Sequence, residues 1–370
     1  MDLQSDQRLA GLTAWANQQL STLQLYQGPS LPLQSVSGDA SFRRYFRCRF
    51  EGKTALNTGL QSLICVDAPP DKENNPAFMR VARGFAAAGV PVPQLLAVDL
   101  EQGYMLLSDL GDCLLKTVLN PQTVEQYFGV ALRELTHIMQ ADFSADPLPH
   151  FDSALLQREM ELFREWFCDR FLQLDLSQSE HELLTEVFAW LQQQALAQQQ
   201  VPVHRDYHTR NLMVLEDGRL GVIDFQDAVL GPVTYDLLSL LRDETFPTWD
   251  QAQVKCWVAG FAAQLRQADL CSVDDERFWW DFNGIGAQRH LKVAGIFARL
   301  KYRDHKQGYL EHTPQSLQYI LMEINELKAR APDCIGRFYD WLLARVVPPL
   351  LVKFPNSDAL FTPTALAPVP

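Results

Sequence analysis

The sequence predicts an α+β protein of two lobes, a small N-terminal lobe built on a sheet and a larger helical C-terminal lobe. Three observations lead there. At 370 residues the chain exceeds the size at which one hydrophobic core keeps growing, so two cores are expected. Short extended runs dominate the N-terminal part. From Pro121 onward, apolar residues recur at offsets of three and four, the period of a helix with one buried stripe.

After an amphipathic opening helix, FRRYFRCRF (42–50) and SLICVD (62–67) read as strands. A helix is expected between Pro76 and Gly89, then the Pro-rich VPVPQLL and a strand at YMLLSD (104–109). Val124, Tyr127, Phe128, Ala131, Leu132, Leu135, Ile138 and Met139 form the first stripe of the helical lobe, starting at a proline. Further helices are expected at 153–172, 178–200, 235–243, 250–268 and 279–300, with two more before a Pro-rich tail. The lobes divide as residues 1–110 and 111–370. The glutamines at 192–194 and 198–200 read as a solvated helix end, and Phe278, Trp279, Trp280 and Phe282 as core. Gly284 and Gly286 lack the third glycine and the preceding strand of a dinucleotide site, so they read as helix packing.

Charge excludes some partners. Thirty-two basic against 45 acidic residues give a net charge of −13, which repels nucleic acid and anionic membranes. The seven cysteines are scattered without a C-x-x-C pair, as in a reduced, cytoplasmic protein. The N-terminal residues lack a basic and apolar leader, and no run reaches the length of a membrane span. Nothing in the sequence sets an oligomeric state.

The informative stretch is VPVHRDYHTRNLMVLEDGRLGVIDFQDAVLGPVTYDLLSLLRD, residues 201–243. Two apolar runs flank EDGR, and Asp217-Gly218 is a residue pair preferred in a two-residue hairpin loop. With those two as the loop, Leu215 faces Leu220 and Asn211 comes opposite Asp224. Directly opposed residues hold their Cβ atoms roughly 4.5–5.5 Å apart. An amide oxygen and a carboxylate so placed share one cation, and magnesium takes such a set together with substrate phosphates. Asp206, five residues before Asn211, fits the group that orients and deprotonates an attacking hydroxyl in phosphoryl transfer.

These residues match a known pattern. His204-Arg205-Asp206 through Asn211 resembles H-R-D-x-x-x-x-N, and Asp224-Phe225 resembles the metal-binding Asp-Phe that follows it in the kinase-like superfamily. The short gap between them, Gln226 after Phe225, and the lack of A-P-E point away from protein kinases. IDFQDAVLGPVTYDL is similar to the segment found in aminoglycoside phosphotransferases and choline kinases. The resemblance implies a bilobal protein-kinase-like fold, ATP and Mg2+ as cofactors, Asp206 as base, Asn211 and Asp224 as metal ligands, and Asp236 as a brace of the catalytic loop.

On the nucleotide side, SVSGDASFRRYF resembles the phosphate-covering turn, with Ser37, Gly38, Asp39, Ala40 and Ser41 offering backbone amides. The strand lysine of V-A-I-K is absent, since SLICVD ends in Asp67. Arg43 and Arg44 are the replacement cations; strand alternation lets one of them enter the cleft, and Arg44 is taken here. LLSDLG (106–111) falls at the hinge, where Leu107 and Asp109 would meet adenine. The first lobe is thus the nucleotide-binding one.

Over most of its length, through SGDASFRRYF, VDAPP, HRDYHTRNLM and QRHLKVAGIFARL, the chain resembles bacterial kinases of the anomeric hydroxyl of N-acetylmuramate and N-acetylglucosamine. That resemblance implies a small amino-sugar substrate and a place in peptidoglycan recycling. Arg289 and His290, near Lys292 on one helix, suit a sugar carboxylate, and Asp227 suits sugar hydroxyls. An aminoglycoside or choline-like acceptor, or a nucleotide-binding regulator without catalysis, are the alternatives.

Overall fold

A computed structural model describes the backbone of residues 3–36, 42–50 and 61–369, with side chains from Gln7 on. In chain order the elements are α1 (Leu3–Thr22), β1 (Leu33–Ser35), β2 (Arg44–Arg49), β3 (Ser62–Asp67), α2 (Asn75–Ala87), β4 (Leu95–Asp99) and β5 (Tyr104–Ser108). Then come α3 (Leu115–Val118), α4 (Val124–Met139), α5 (Ser153–Leu162), α6 (Gln178–Ala197) and β6 (Gln200–Val203). The hairpin β7 (Leu212–Val214) and β8 (Leu220–Val222) precedes β9 (Val229–Pro232) and α7 (Tyr235–Leu241). Helices α8 (Gln251–Gln267), α9 (Asp275–Tyr302), α10 (Thr313–Leu327), α11 (Asp333–Trp341) and α12 (Val347–Lys353) complete the order. The α+β class is as expected.

Contacts group Met1–Pro147 with Arg210–Ala228, and Leu148–Thr209 with Val229–Pro370. In the first unit an antiparallel sheet runs β1-β2-β3-β5-β4. Alternation sends Phe46 and Cys48, Leu63 and Cys65, and Tyr104 and Leu106 to one face, where they pack on Leu12, Trp15, Ala16 and Leu20 of α1. Those four helical residues are spaced three, one and four apart, one stripe of an α-helix. Asp67 ends this face, fully buried and bonded to Arg8 of α1 and Arg44 of β2. Strand β4 was not expected: its five residues are all half-buried, so it shows no alternation.

The second unit is helical around α9. Phe163, Phe167 and Phe171 follow α5 in a nine-residue π-helical stretch and join Leu291, Ala294 and Ala298 of α9 and Leu317, Ile320 and Ile324 of α10 in one core. The glutamines at the end of α6 are not simply solvated. Gln198 is buried, donating to the carbonyl of Asp281 at 3.0 Å and accepting from the Thr234 hydroxyl at 2.7 Å. Phe278 and Phe282 are core, and Gly286 packs against Glu323 of α10. All seven cysteines are free.

Gly295 marks the closest backbone approach in this unit, because an added Cβ would lie 2.3 Å from the carbonyl carbon of Leu162. A Cβ at Gly260 of α8 would meet nothing within 4 Å. Gly295→Ala is therefore expected to destabilise by about 1–3 kcal/mol or more, whereas Gly260→Ala is expected to be neutral or stabilising by up to ~1 kcal/mol. Urea titrations of the two variants check this.

Candidate active site

In the second unit β6 pairs antiparallel with β9, Val203 opposite Val229, and the chain leaves the strand at His204. Arg205 then adopts φ +77, a left-handed conformation that strains a side-chain-bearing residue by roughly 1–3 kcal/mol. One carboxylate holds it there. Asp236, fully buried in the first turn of α7, accepts from the amide of His204 at 2.6 Å and from that of Arg205 at 2.9 Å. Burial pushes the Asp236 carboxyl up to about 6, against the lowering influence of His204 and the two amides. The Asp206 amide in turn donates to Nδ1 of His204 at 3.2 Å.

Asp206 itself stays ionised. Burial raises its pKa, but Lys292, His208, Arg205 and Arg289 outweigh that and hold it well below the usual carboxylate range. The cations are fixed by acids on neighbouring helices. Glu159 of α5 accepts from Arg205 at 2.5 Å, lies 3.3 Å from the Lys292 ammonium, and accepts from Gln288 at 3.1 Å. Lys292 also donates to the Tyr235 hydroxyl at 3.2 Å, and Arg289 donates to Glu244 at 3.0 Å. Sequence reasoning missed Glu159. The signal was a carboxylate on the apolar stripe Leu156, Met160, Phe163, a position that a solvated glutamate does not take.

His290 corrects an expectation. Its Nδ1 lies 2.9 Å from Glu323 and its Nε2 3.1 Å from the Arg242 carbonyl, with the ring stacked on Tyr319 and no exposure. Both nitrogens are engaged in the core, so the ring cannot read a substrate.

The hairpin of the first unit pairs Leu212 with Val222, Met213 with Gly221 and Val214 with Leu220. This is one residue off the expected register. Leu215 donates to Arg219, leaving a three-residue loop, Glu216 to Gly218, with Gly218 at φ +81. Asn211 consequently faces Ile223, whose amide donates to the Asn211 carbonyl at 3.1 Å, and Asp224 follows one position later. An extended Asp224 would point to the opposite face from Asn211. It is not extended: φ is +63, which ends the strand and releases the carboxylate from its alternation. Phe225 is fully buried against Phe78 and Phe85 of α2, at centroid distances of 4.9 and 6.1 Å, and Gln226 donates to Asp224 at 2.9 Å. Asn211 is buried and Asp224 exposed, an amide and a carboxylate that fit a hard, oxygen-seeking cation. Asp227 is exposed in the turn that follows.

Ser37, Gly38, Asp39, Ala40 and Ser41 lie outside the described residues. Arg44 is redirected by the fold, because it shares the α1 face with Phe46 and Cys48 and is bonded to Asp67. Arg43 takes the other side. Its guanidinium lies 3.3 Å from Glu73 and 5.3 Å above the ring of Phe78, which touches Phe225 beside Asp224. Leu107 sits inside the sheet between β3 and β4, so its backbone is taken up by strand pairing. The Asp109 carboxylate is committed to that turn, accepting from Arg47 at 2.6 Å, Ser62 at 2.5 Å and the Gly111 amide at 2.9 Å.

Against known proteins, the profile of a phosphotransferase enzyme family matches residues 32–278. An N-acetylmuramate/N-acetylglucosamine kinase of Pseudomonas putida is 40% identical over 333 residues, covering 89% of this chain and 94% of the relative. One of Neisseria meningitidis serogroup B is 39% identical over 302 residues, covering 80% and 86%. Among solved structures, a choline kinase from Cryptosporidium parvum aligns with TM-score 0.59 at 11% identity, covering 90% of this chain and 99% of that one. A Plasmodium vivax ethanolamine kinase aligns with TM-score 0.56 at 10% identity over 78% and 81%. These two share the fold.

The raised Asp236 carboxyl yields a pH dependence of stability. An aspartate titrates near ~3.9 in an unfolded chain, so between that pH and about 6 the folded protein binds more protons than the unfolded one. The contribution is full below the unfolded value and is lost as pH rises through the folded one. The stability advantage of the wild type over Asp236→Asn is therefore expected to shrink by roughly 2–3 kcal/mol from pH 4 to pH 7. Denaturant titrations at both pH values measure it.

Proposed function

We propose that this chain, which belongs to the phosphotransferase enzyme family and is a kinase, moves the γ-phosphoryl group of ATP to the anomeric hydroxyl of N-acetylmuramate or N-acetylglucosamine. The product is a sugar 1-phosphate, and the step serves peptidoglycan recycling in the cytoplasm. The observation that carries the acceptor is the 40% identity across 89% of the chain to a kinase of these two sugars. Among the described residues no helix is long and apolar enough to cross a membrane.

In this reading Asp206 accepts a hydrogen bond from the anomeric hydroxyl, aims its oxygen at the γ-phosphorus, and takes the proton as the O–P bond forms and ADP departs. A carboxylate held below its usual range is a weak base, so orientation is its larger contribution. That suffices, since phosphoryl transfer proceeds through a loose transition state that needs positioning more than proton abstraction. The anomeric hydroxyl also ionises more readily than an ordinary alcohol, because the ring oxygen withdraws charge. Asn211 and Asp224 would hold Mg2+, which supplies charge neutralisation on the phosphates when bound. Arg43, in place of Arg44, provides the cation on the side of α2. Residues 1–110 form the nucleotide-binding lobe, with the backbone after Ser108 against adenine. Residues 111–370 carry the base and the acceptor site, to which Asp227 and Arg289 contribute.

Incubation with magnesium-ATP and N-acetylmuramate, N-acetylglucosamine, choline or kanamycin, read by phosphorus NMR, is expected to place phosphate on a sugar C1. Phosphate only on choline or kanamycin overturns the acceptor. Asp206→Asn is expected to lower kcat by about 10²- to 10⁴-fold with nucleotide affinity kept, and equal turnover would remove Asp206 from its role. Asp224→Ala is expected instead to weaken magnesium-nucleotide binding, measured by calorimetry.

A further inference from the structure

Two buried arginines of the second unit differ in what their guanidinium groups have left over. Arg242 is fully buried and wholly structural: Nε donates to Gln251 at 3.2 Å, and Nη1 to Asn283 at 3.0 Å and Glu323 at 2.9 Å. Its plane lies over Trp279 and Phe282, and its Nη2 is sealed from solvent. Arg289 is also buried, at 3% exposure, but only Nη1 is engaged, with Glu244 at 3.0 Å. Among the described residues its Nε and Nη2 donate to nothing, yet neither is sealed from solvent. One edge of a charged fork is therefore left without a protein partner among the described residues, at a position that is almost wholly buried.

Arg289 lies within electrostatic reach of Asp206. Arg289 and Lys292 are three apart on α9 and share a helix face. Lys292 is 3.3 Å from Glu159, which binds Arg205, the chain neighbour of Asp206. Arg289 is one of the charges that keep Asp206 ionised. Lys292 is itself engaged by Glu159 and Tyr235, and an ammonium offers no planar pair of donors. The Nε/Nη2 edge of a guanidinium matches a carboxylate with two parallel hydrogen bonds.

We propose that the open edge of Arg289 binds the carboxylate of an acidic sugar acceptor, selecting it over the neutral sugar, while Glu244 fixes the plane of the guanidinium. The inference rests on the amino-sugar reading above and adds the group that discriminates within that class.

The test compares N-acetylmuramate, its methyl ester and N-acetylglucosamine as acceptors. In the wild type, masking the carboxylate as the ester is expected to lower kcat/KM by about 10- to 100-fold, through KM. In Arg289→Gln that factor collapses towards one, and the ratio of kcat/KM for N-acetylmuramate over N-acetylglucosamine falls by about the same amount. Because Arg289→Gln removes the guanidinium bonded to the buried Glu244, the double variant Glu244→Gln/Arg289→Gln is measured alongside and is expected to give the same ratios. Arg289→Lys, which keeps charge without the fork, is expected to recover only part of the discrimination. Unchanged ratios in both the single and the double variant overturn the subsite. A wild type that phosphorylates neither sugar overturns the amino-sugar reading instead.

Discussion

The two hydrogen bonds from the amides of His204 and Arg205 to the carboxylate of Asp236 are the constraint on which the rest of the loop after β6 depends. A chain that leaves a buried strand must find partners for its amides. One anion satisfies two of them, and each such charge-assisted bond contributes about 1.5–3 kcal/mol. That outweighs the roughly 1–3 kcal/mol of strain in the left-handed Arg205. The cost is a buried anion, visible in the Asp236 carboxyl pushed up to about 6. Fixing the backbone of Arg205 also fixes its side chain, which reaches Glu159 and through it Lys292, so α5 and α9 are tied to the loop.

Charge in this region is balanced rather than accumulated. Arg205, Lys292 and Arg289 stand against Glu159, Glu244 and Asp206. Burying any of these alone would be prohibitive, and an arrangement of matched ions bonded to one another is how an interior tolerates them. The balance has a chemical result, because cations around Asp206 overcome the effect of its burial and keep it ionised but weakly basic. A site of this kind suits a reaction limited by alignment and by charge on the phosphates more than by proton removal.

What could be read from the sequence was whatever depends on local period or on a contiguous motif. The stripe from Val124 to Met139, the strand SLICVD and the helix around Arg289 all formed where their spacing put them. Asp236, expected as a brace of the loop from the same contiguous stretch, does accept from the amides of His204 and Arg205. What failed depends on partners distant in the chain. His290 looked like a ligand beside Arg289, but Glu323 of α10 and the Arg242 carbonyl take both its nitrogens. Arg44 looked free to enter the cleft, and Asp67, 23 residues away, holds it on the α1 face. Strand β4 shows no alternation because its residues are uniformly half-buried, so no period could reveal it.

The hairpin shows how a small local error propagates into the site. A two-residue loop at Asp217-Gly218 and a three-residue loop ending in Gly218 differ by one residue, and in a period of two that difference exchanges the faces. Direct opposition of Asn211 and Asp224 was therefore the wrong reason to expect them together. What relates them is a strained residue. Asp224 at φ +63 abandons the strand one position after the residue that Asn211 faces. Strain of this kind persists only where its surroundings over-determine it. Here Phe225 anchors the next position between Phe78 and Phe85, and Gln226 bonds the Asp224 carboxylate from two residues on. Gln226, which stands where a protein kinase has glycine, thus takes a definite part. It supplies a donor to the Asp224 carboxylate, something a glycine could not do.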